Sequence, residues 1–391
     1  MPDTHNAKDP KELLRLLKPR LPEMLSVLKK LVLVESPSLE KAPSDRCCAL
    51  LAAEWRKTGA RVDRIALKHR GDQLRITWWP HKSRPVGQLF VLGHYDTVYA
   101  SGSLSRMPFR VSGAKAYGPG VFDMKAGIVQ ALFALEALQR SKVSLTHRLV
   151  FLWTSDEEIG SDASRKIIEA EARRSDAVFV LEPSLGSKGL IKTARKGVGE
   201  AELIVHGRAS HAGLAPEEGI NAIHELSRQL ARIQEWNDPR RGVTVNADII
   251  EGGTRVNVIA ERAKAVLDLR ALRIADMRSL ERRLRALRPI LPGARLEIHG
   301  GFNRAPLERK RSAALFAKAK ALAAQMGLSL GESIAGGGSD GNLTAAVGTP
   351  TLDGLGAVGH GAHSTDEHIL VNTMPLRAAL LASLLVHCST K

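Results

Sequence analysis

At 391 residues, 44% hydrophobic and 25% charged, the chain is long enough for two domains and has the composition of an ordinary globular protein. Cys47, Cys48 and Cys388 are its three cysteines. An odd number with two adjacent and no CxxC spacing excludes a disulfide framework and a thiolate metal site, so any metal must be held by oxygen and imidazole.

No apolar run approaches the roughly 20 residues needed to cross a bilayer. The stretch Met1 to Leu17 is polar and charged, then amphipathic, without the apolar segment of a signal peptide. The expectation is a cytoplasmic protein with no membrane partner. The formal charge of +16 admits either a polyanionic partner or arginines on solvated helix faces. In the densest basic run, Arg270 to Arg288, Met277, Leu280, Leu284 and Leu287 recur at three- and four-residue steps. That spacing puts Arg278, Arg282 and Arg285 on the outer face. No aromatic residues interleave with them for base stacking, so the sequence predicts a solvated face and no nucleic-acid partner.

Residues 11–34 read as one or two helices broken around Pro19 and Pro22, and Ser44–Gly59 as another. Short apolar runs then alternate with helical stretches, the pattern of an α/β domain with a largely parallel sheet. Three runs, Leu89–Gly93, Arg148–Thr154 and Ala177–Leu181, are followed at once by His94 and Asp96, by Asp156, Glu157 and Glu158, and by Glu182. Sites in open α/β sheets form beyond the carboxyl ends of the strands, so these side chains predict one site.

The texture changes between about Gly197 and Gly301. Strands at Glu200–His206, Val243–Ile250, Ala263–Leu269 and Arg295–His299 and helices at Gly219–Asn237 and Ala275–Leu287 make a compact α+β module, read as an inserted domain. Afterwards Ser312–Met326 and Pro375–His387 read as helices of the first domain, separated by a Gly-rich turn at Gly336–Ser339.

Several clusters carry the chemistry. In Gly93-His-Tyr-Asp-Thr-Val98, His94 and Asp96 share a strand face. They read as a metal ligand with its orienting carboxylate, or as a surface pair. Asp123, in the tight segment Tyr117-Gly-Pro-Gly-Val-Phe-Asp-Met-Lys-Ala-Gly127, reads as a ligand or as a helix N-cap. Glu157 and Glu158 diverge from one turn and could supply a metal ligand and a separate base, as a two-metal hydrolase needs, or an acidic helix start. His363 lies in Gly359-His-Gly-Ala-His-Ser-Thr-Asp-Glu367, with His360 as its rival.

In order, HYDTV, GPGVFDMKAG, TSDEEIGS, LEPS, GRASHAG, GGGSDGN and GAHSTDE resemble the zinc exopeptidase family of glutamate carboxypeptidase, acetylornithine deacetylase, succinyl-diaminopimelate desuccinylase and aminoacylase, over roughly residues 20–385. The resemblance is nearest the glutamate carboxypeptidase branch. It implies an α/β catalytic domain (1–195 and 306–391) with a mixed, largely parallel sheet flanked by helices. An inserted α+β lid and dimerisation domain (196–305) with an antiparallel sheet completes the expected fold. It also implies two Zn²⁺ ions, with Co²⁺ or Mn²⁺ as substitutes. His94 and Glu182 would hold one, Glu158 and His363 the other, and Asp123 would bridge, followed by a cis peptide to Met124. Asp96 would hold His94, and Glu157 would act as general base. Two Zn²⁺ are then offset by the three ligand carboxylates and one hydroxide.

His211 of the SHAG motif would polarise the substrate carbonyl, reaching into a partner subunit of a homodimer; from the residue alone, a turn histidine is the competing reading. Asn257, Arg270 and the turn containing Gly338 and Ser339 would grip the substrate carboxylate. The implied activity is hydrolysis of an amide beside a free carboxylate, releasing C-terminal glutamate or a similar residue from a small N-acyl or peptidyl conjugate. The segment Ser187–Lys196 departs from the pattern that holds a glutamate side chain, leaving Lys192, Arg195 and Arg304 as substitutes or as ordinary surface charges. An N-acyl-amino-acid deacylase and a non-catalytic basic binding protein are the alternatives.

Overall fold

The structure is a computed structural model that describes residues 9–389; the part of the polar start expected at residues 1–8 lies outside them. The chain divides into two compact units. One comprises Met1–Thr193, Arg309–Ile334 and Ser339–Lys391, the other Ala194–Glu308 and Ala335–Gly338.

The first unit is built on a six-stranded sheet. Its order is Arg61–Ile65, Gln73–Trp78, His147–Thr154, Gly87–His94, Ala177–Val180 and Thr351–Leu352. The last four strands run parallel and the first two join antiparallel. The apolar runs carry two faces, because both sides of the sheet are covered. Leu89, Val91, Leu149, Phe151, Trp153 and Phe179 pack into one core with the helices Ala126–Arg140 and Met374–Ser389. The alternate residues Phe90, Leu92, Val150, Leu152, Val178 and Val180 pack against Ile168, Ala172 and Leu343 of the helices on the other face.

The amino-terminal helices follow their prolines. Pro10–Leu17 starts on an Asp9 cap with proline in its first turn, Lys18–Arg20 is a 3₁₀ turn, and Leu21–Leu33 continues. The helix expected at Ser44–Gly59 runs instead from Lys41 to Arg56; Pro43 sits in its first turn, where a missing N–H costs nothing. The segment Val371–Ser389 is apolar and long enough to cross a bilayer, contrary to the sequence reading. Some 72% of its most apolar window is nevertheless buried inside this unit. Its apolarity serves a core helix.

The second unit is a four-stranded antiparallel sheet. Thr244–Gly252 lies at one edge, then Arg262–Ala271, Gly197–His206 and Arg295–Arg304. The helices Ala222–Gln234 and Ile274–Arg285 close its core through Leu226, Ile233, Leu280 and Leu284. Arg278, Arg282, Arg283 and Arg285 are exposed, the solvated face that their spacing predicts. The strand expected to stop at His299 continues to Arg304 through Gly300 and Gly301, at φ +82° and +140°. Glycine tolerates that bend inside the ladder, where a Cβ on Gly300 would stand 2.3 Å from the Glu200 carbonyl oxygen.

Candidate metal centre

Three strands of the first unit end level with one another. His94 pairs with Thr154 and Leu92 with Val180. His94, the turn at Glu157–Ile159 and Glu182 therefore leave the sheet at one edge, beyond the carboxyl ends of parallel strands. His94 and Glu182 are 1% and 6% exposed.

Asp123 arrives from a separate turn. Gly118 and Gly120 adopt φ +145° and +72°, and a Cβ on Gly120 would meet Thr97 Cγ2 at 2.6 Å. The Asp123–Met124 peptide is cis, as the resemblance implies. The two oxygens of Asp123 face different imidazoles: Oδ1 lies 3.3 Å from His94 Nε2, and Oδ2 lies 3.7 Å from His363 Nε2. Glu182 Oε1 is 3.5 Å from His94 Nε2, and Glu158 Oε2 is 3.1 Å from His363 Nε2. His363 holds its position at φ +63°, a left-handed conformation unusual for a residue with a Cβ.

Asp96 organises the cluster from beneath. Fully buried, it accepts hydrogen bonds from Ser38 Oγ at 2.7 Å and from the Glu157 and Glu158 N–H groups, both at 3.3 Å. His94 Nδ1 lies 3.1 Å from the Asp96 carbonyl oxygen and 3.4 Å from Oδ1. With the proton on Nδ1, the Nε2 lone pair points at Asp123 and Glu182. The carboxylate of Glu157 gathers with His94 and Glu182, their ligand-type atoms all within 4.8 Å of one another.

Charge is tightly managed here. Burial opposes protonation of His94, but Asp123, Asp96 and Glu182 outweigh it and lift its pKa well above the ordinary imidazole value. Glu158 raises His363 to about 9. Burial pushes Glu158 itself upward, against the pull of His363. His94 Nε2 and Asp123 Oδ1 are buried without a hydrogen-bond partner. Tetrahedral ligands on bonds of about 2.0–2.1 Å stand about 3.3 Å apart, close to the separations here. Crowded carboxylates and orphaned lone pairs at that spacing fit divalent cations.

Other expected residues turn elsewhere. Asp156 Oδ2 accepts the Ala163 and Ser164 N–H groups at 2.8 and 3.2 Å, serving the turn into the helix Arg165–Arg173. His360 ends beside His368, ring centroids 6.4 Å apart. The Ser339 N–H, expected to meet a substrate carboxylate, already donates to Asn342 Oδ1 at 3.0 Å in a capping box. Ser339 is buried. Lys192 Nζ lies 4.0 Å from Glu182 Oε2.

Within the second unit, His211 is exposed, and its Nδ1 accepts the N–H groups of Gly213 and Leu214, both at 3.1 Å. A neutral ring so held carries its proton on Nε2. His211 is thus held in its own turn. It bridges to Val258, and the Ala212 N–H donates to the carbonyl of exposed Asn257. Arg270 is not an open fork: its Nε and Nη2 grip Asp268 at 2.7–3.0 Å. Arg195 is buried and donates to the Gly337 and Gly338 carbonyls at 3.2 and 3.0 Å, bracing the glycine turn.

Three contributors escaped sequence reasoning. Ser38, before the helix Lys41–Arg56, carried no signal. Tyr99, whose hydroxyl donates to the Ser364 carbonyl at 3.0 Å, directly follows the first motif. Glu367 closes the Ser-Thr-Asp-Glu tail, and burial raises its pKa to about 7.

Residues 90–387 match the sequence profile of Peptidase family M20/M25/M40. Carboxypeptidase G2 of Pseudomonas sp. (strain RS-16) is 32% identical over 380 residues, covering 93% of this chain and 89% of that protein. A succinyl-diaminopimelate desuccinylase of Dechloromonas aromatica (strain RCB) is 29% identical over 321 residues, covering 77% and 84%. Among solved structures, aminopeptidase PepT from Bacillus cereus ATCC 10987 superposes with a TM-score of 0.78 at 22% identity, over 95% of this chain and 99% of that one. With the profile spanning most of the chain and the fold shared, the chain belongs to the Peptidase M20 family and is a hydrolytic enzyme.

Proposed function

We propose that the enzyme is a two-zinc carboxypeptidase that hydrolyses an amide beside a free carboxylate and releases C-terminal glutamate or a similar residue from an N-acyl or peptidyl conjugate. One observation carries the two-ion reading: Asp123 presents one oxygen to His94 and the other to His363. In this reading His94 and Glu182 hold one ion and Glu158 and His363 the other. When bound, the ions supply Lewis acidity toward the amide carbonyl and acidify water. Glu157 is the general base. It accepts the proton of the attacking water and returns it to the leaving amine. Asp96 supports this role because it holds the Glu157 and Glu158 N–H groups on its two oxygens, aiming consecutive carboxylates at separate tasks.

The second unit supplies substrate recognition. His211 presents Nε2–H to the carbonyl oxygen as negative charge develops there. Asn257 and Arg270 receive the substrate carboxylate, which displaces Asp268 from the arginine fork. A homodimer brings His211 to the partner's centre. The edge strand Thr244–Gly252 supports such pairing, with Ile249 and Ile250 53% and 61% exposed.

Desuccinylases among the relatives favour a second reading, an N-acyl-amino-acid deacylase on the same centre. A panel of N-acyl-glutamates, dipeptides and acetyl amino acids, assayed with metal analysis, separates them. Turnover confined to acyl-amino acids with small acyl groups, independent of the C-terminal side chain, sinks the carboxypeptidase reading.

A further inference from the structure

Glu367 is fully buried, yet it reaches into the turn that carries Asp123. Its Oε2 accepts the Gly120 N–H at 2.9 Å, and its Oε1 accepts the Phe122 and Asp123 N–H groups at 2.8 and 3.0 Å, about 245 residues away in sequence. Converging backbone N–H groups around a left-handed Gly120 form an anion nest, and here a side chain of the same protein fills it. Four residues before Glu367 stands His363. Tyr99 ties the intervening Ser364 carbonyl down at 3.0 Å.

We infer that Glu367 is a positioning residue: it locks the Asp123 turn to the His363 loop and thereby sets how tightly the second cation is held. The inference rests on the two-ion reading above. Its physical content is simple. Asp123 Oδ2 and His363 Nε2 come from distant segments, and Glu367, four residues after His363, joins them by taking the Asp123 N–H itself. Without its carboxylate, three N–H groups lose their acceptor, and the turn is free to rotate Asp123 out of register. The ion held by His363 and Glu158 feels this most, because its imidazole rides on the same loop as Glu367. Glu367 touches neither ion nor substrate.

The test loads wild type, Glu367→Gln and Glu367→Ala with Zn²⁺, dialyses each against graded chelator buffers and counts retained ions. Unfolding of the metal-free proteins is followed alongside. Glutamine keeps one acceptor oxygen but aims an N–H₂ at a donor, so a graded defect is expected, alanine beyond glutamine. The affinity for one ion should fall about tenfold to a hundredfold while the other changes far less. Glutamine alone decides the matter if the alanine variant does not fold. Two ions held as tightly in Glu367→Gln as in wild type would overturn the role, as would equal weakening of both ions in step with lost stability. Wild type that retains fewer than two ions would instead overturn the two-ion reading, and this inference with it.

Discussion

The hydroxyl of Ser38 donates to Oδ2 of Asp96 at 2.7 Å, in a place where both residues are shut off from solvent. Asp96 also takes the N–H groups of Glu157 and Glu158 and stands beside His94 Nδ1. Asp96→Ala should therefore lower Zn²⁺ affinity about tenfold to a hundredfold. Leaving buried donors without an acceptor should also cost about 1–3 kcal/mol of stability. Chelator competition and urea unfolding measure the two; unchanged affinity would remove Asp96 from the support of the centre.

Glu157→Ala should retain the full complement of metal yet lose turnover by about 10³-fold or more. His211→Ala should lose about 10²–10³-fold, again with metal retained. Mixed and reassociated at 1:1, the two inactive variants should recover about a quarter of wild-type turnover, since half of the random dimers carry one intact site. Absence of recovery in a mixture shown to exchange subunits argues that His211 acts within its own chain.

Arg270 holds Asp268 through two nitrogens, so the substrate carboxylate proposed for Arg270 would compete with an internal one. Arg270→Lys loses the planar fork and should raise KM about tenfold with kcat less affected. Asp268→Asn weakens the competitor and should lower KM. A rise in KM for both variants would mean that Asp268 orients Arg270 for the substrate.

Acid sensitivity should show at Glu171, which is buried. Burial by itself would raise its pKa, but Arg75 at 2.9 Å and Gln88 at 2.9 Å outweigh burial and hold it below the ordinary value. A depressed folded pKa means that its stabilisation is complete above the unfolded value of about 4.3 and is lost as pH falls through the folded one. Glu171→Gln should cost about 2 kcal/mol at pH 7, and the gap to wild type should narrow as pH is lowered toward 3. A gap that stays constant across that range would show that the charge of Glu171 contributes nothing.

Much of this was legible in local pattern. Unbroken apolar runs ending in His94, in Glu157 and Glu158, and in Glu182 announced buried parallel strands with a site at one end, because both sheet faces need apolar cover while the ends meet solvent. Prolines and glycines marked the amino-terminal break and the Asp123 turn for equally local reasons. Extended conformation across Gly300 and Gly301 was hidden, since neighbouring strands decide whether a glycine pair ends a ladder or bends it.

By itself, then, the sequence determined which residues leave the strand ends and which chemistry their side chains can perform, since period, turn residues and side-chain type act over a few positions. Only the tertiary structure decided that Asp156 turns away to serve a helix start while its neighbour Glu158 faces His363, that Ser339 spends its N–H on Asn342, that Arg270 is engaged by Asp268, and that Glu367 grips the Asp123 turn. Each of those outcomes is a competition among donors and acceptors. Several of the winners lie far apart along the chain, and no local spacing encodes which pair wins.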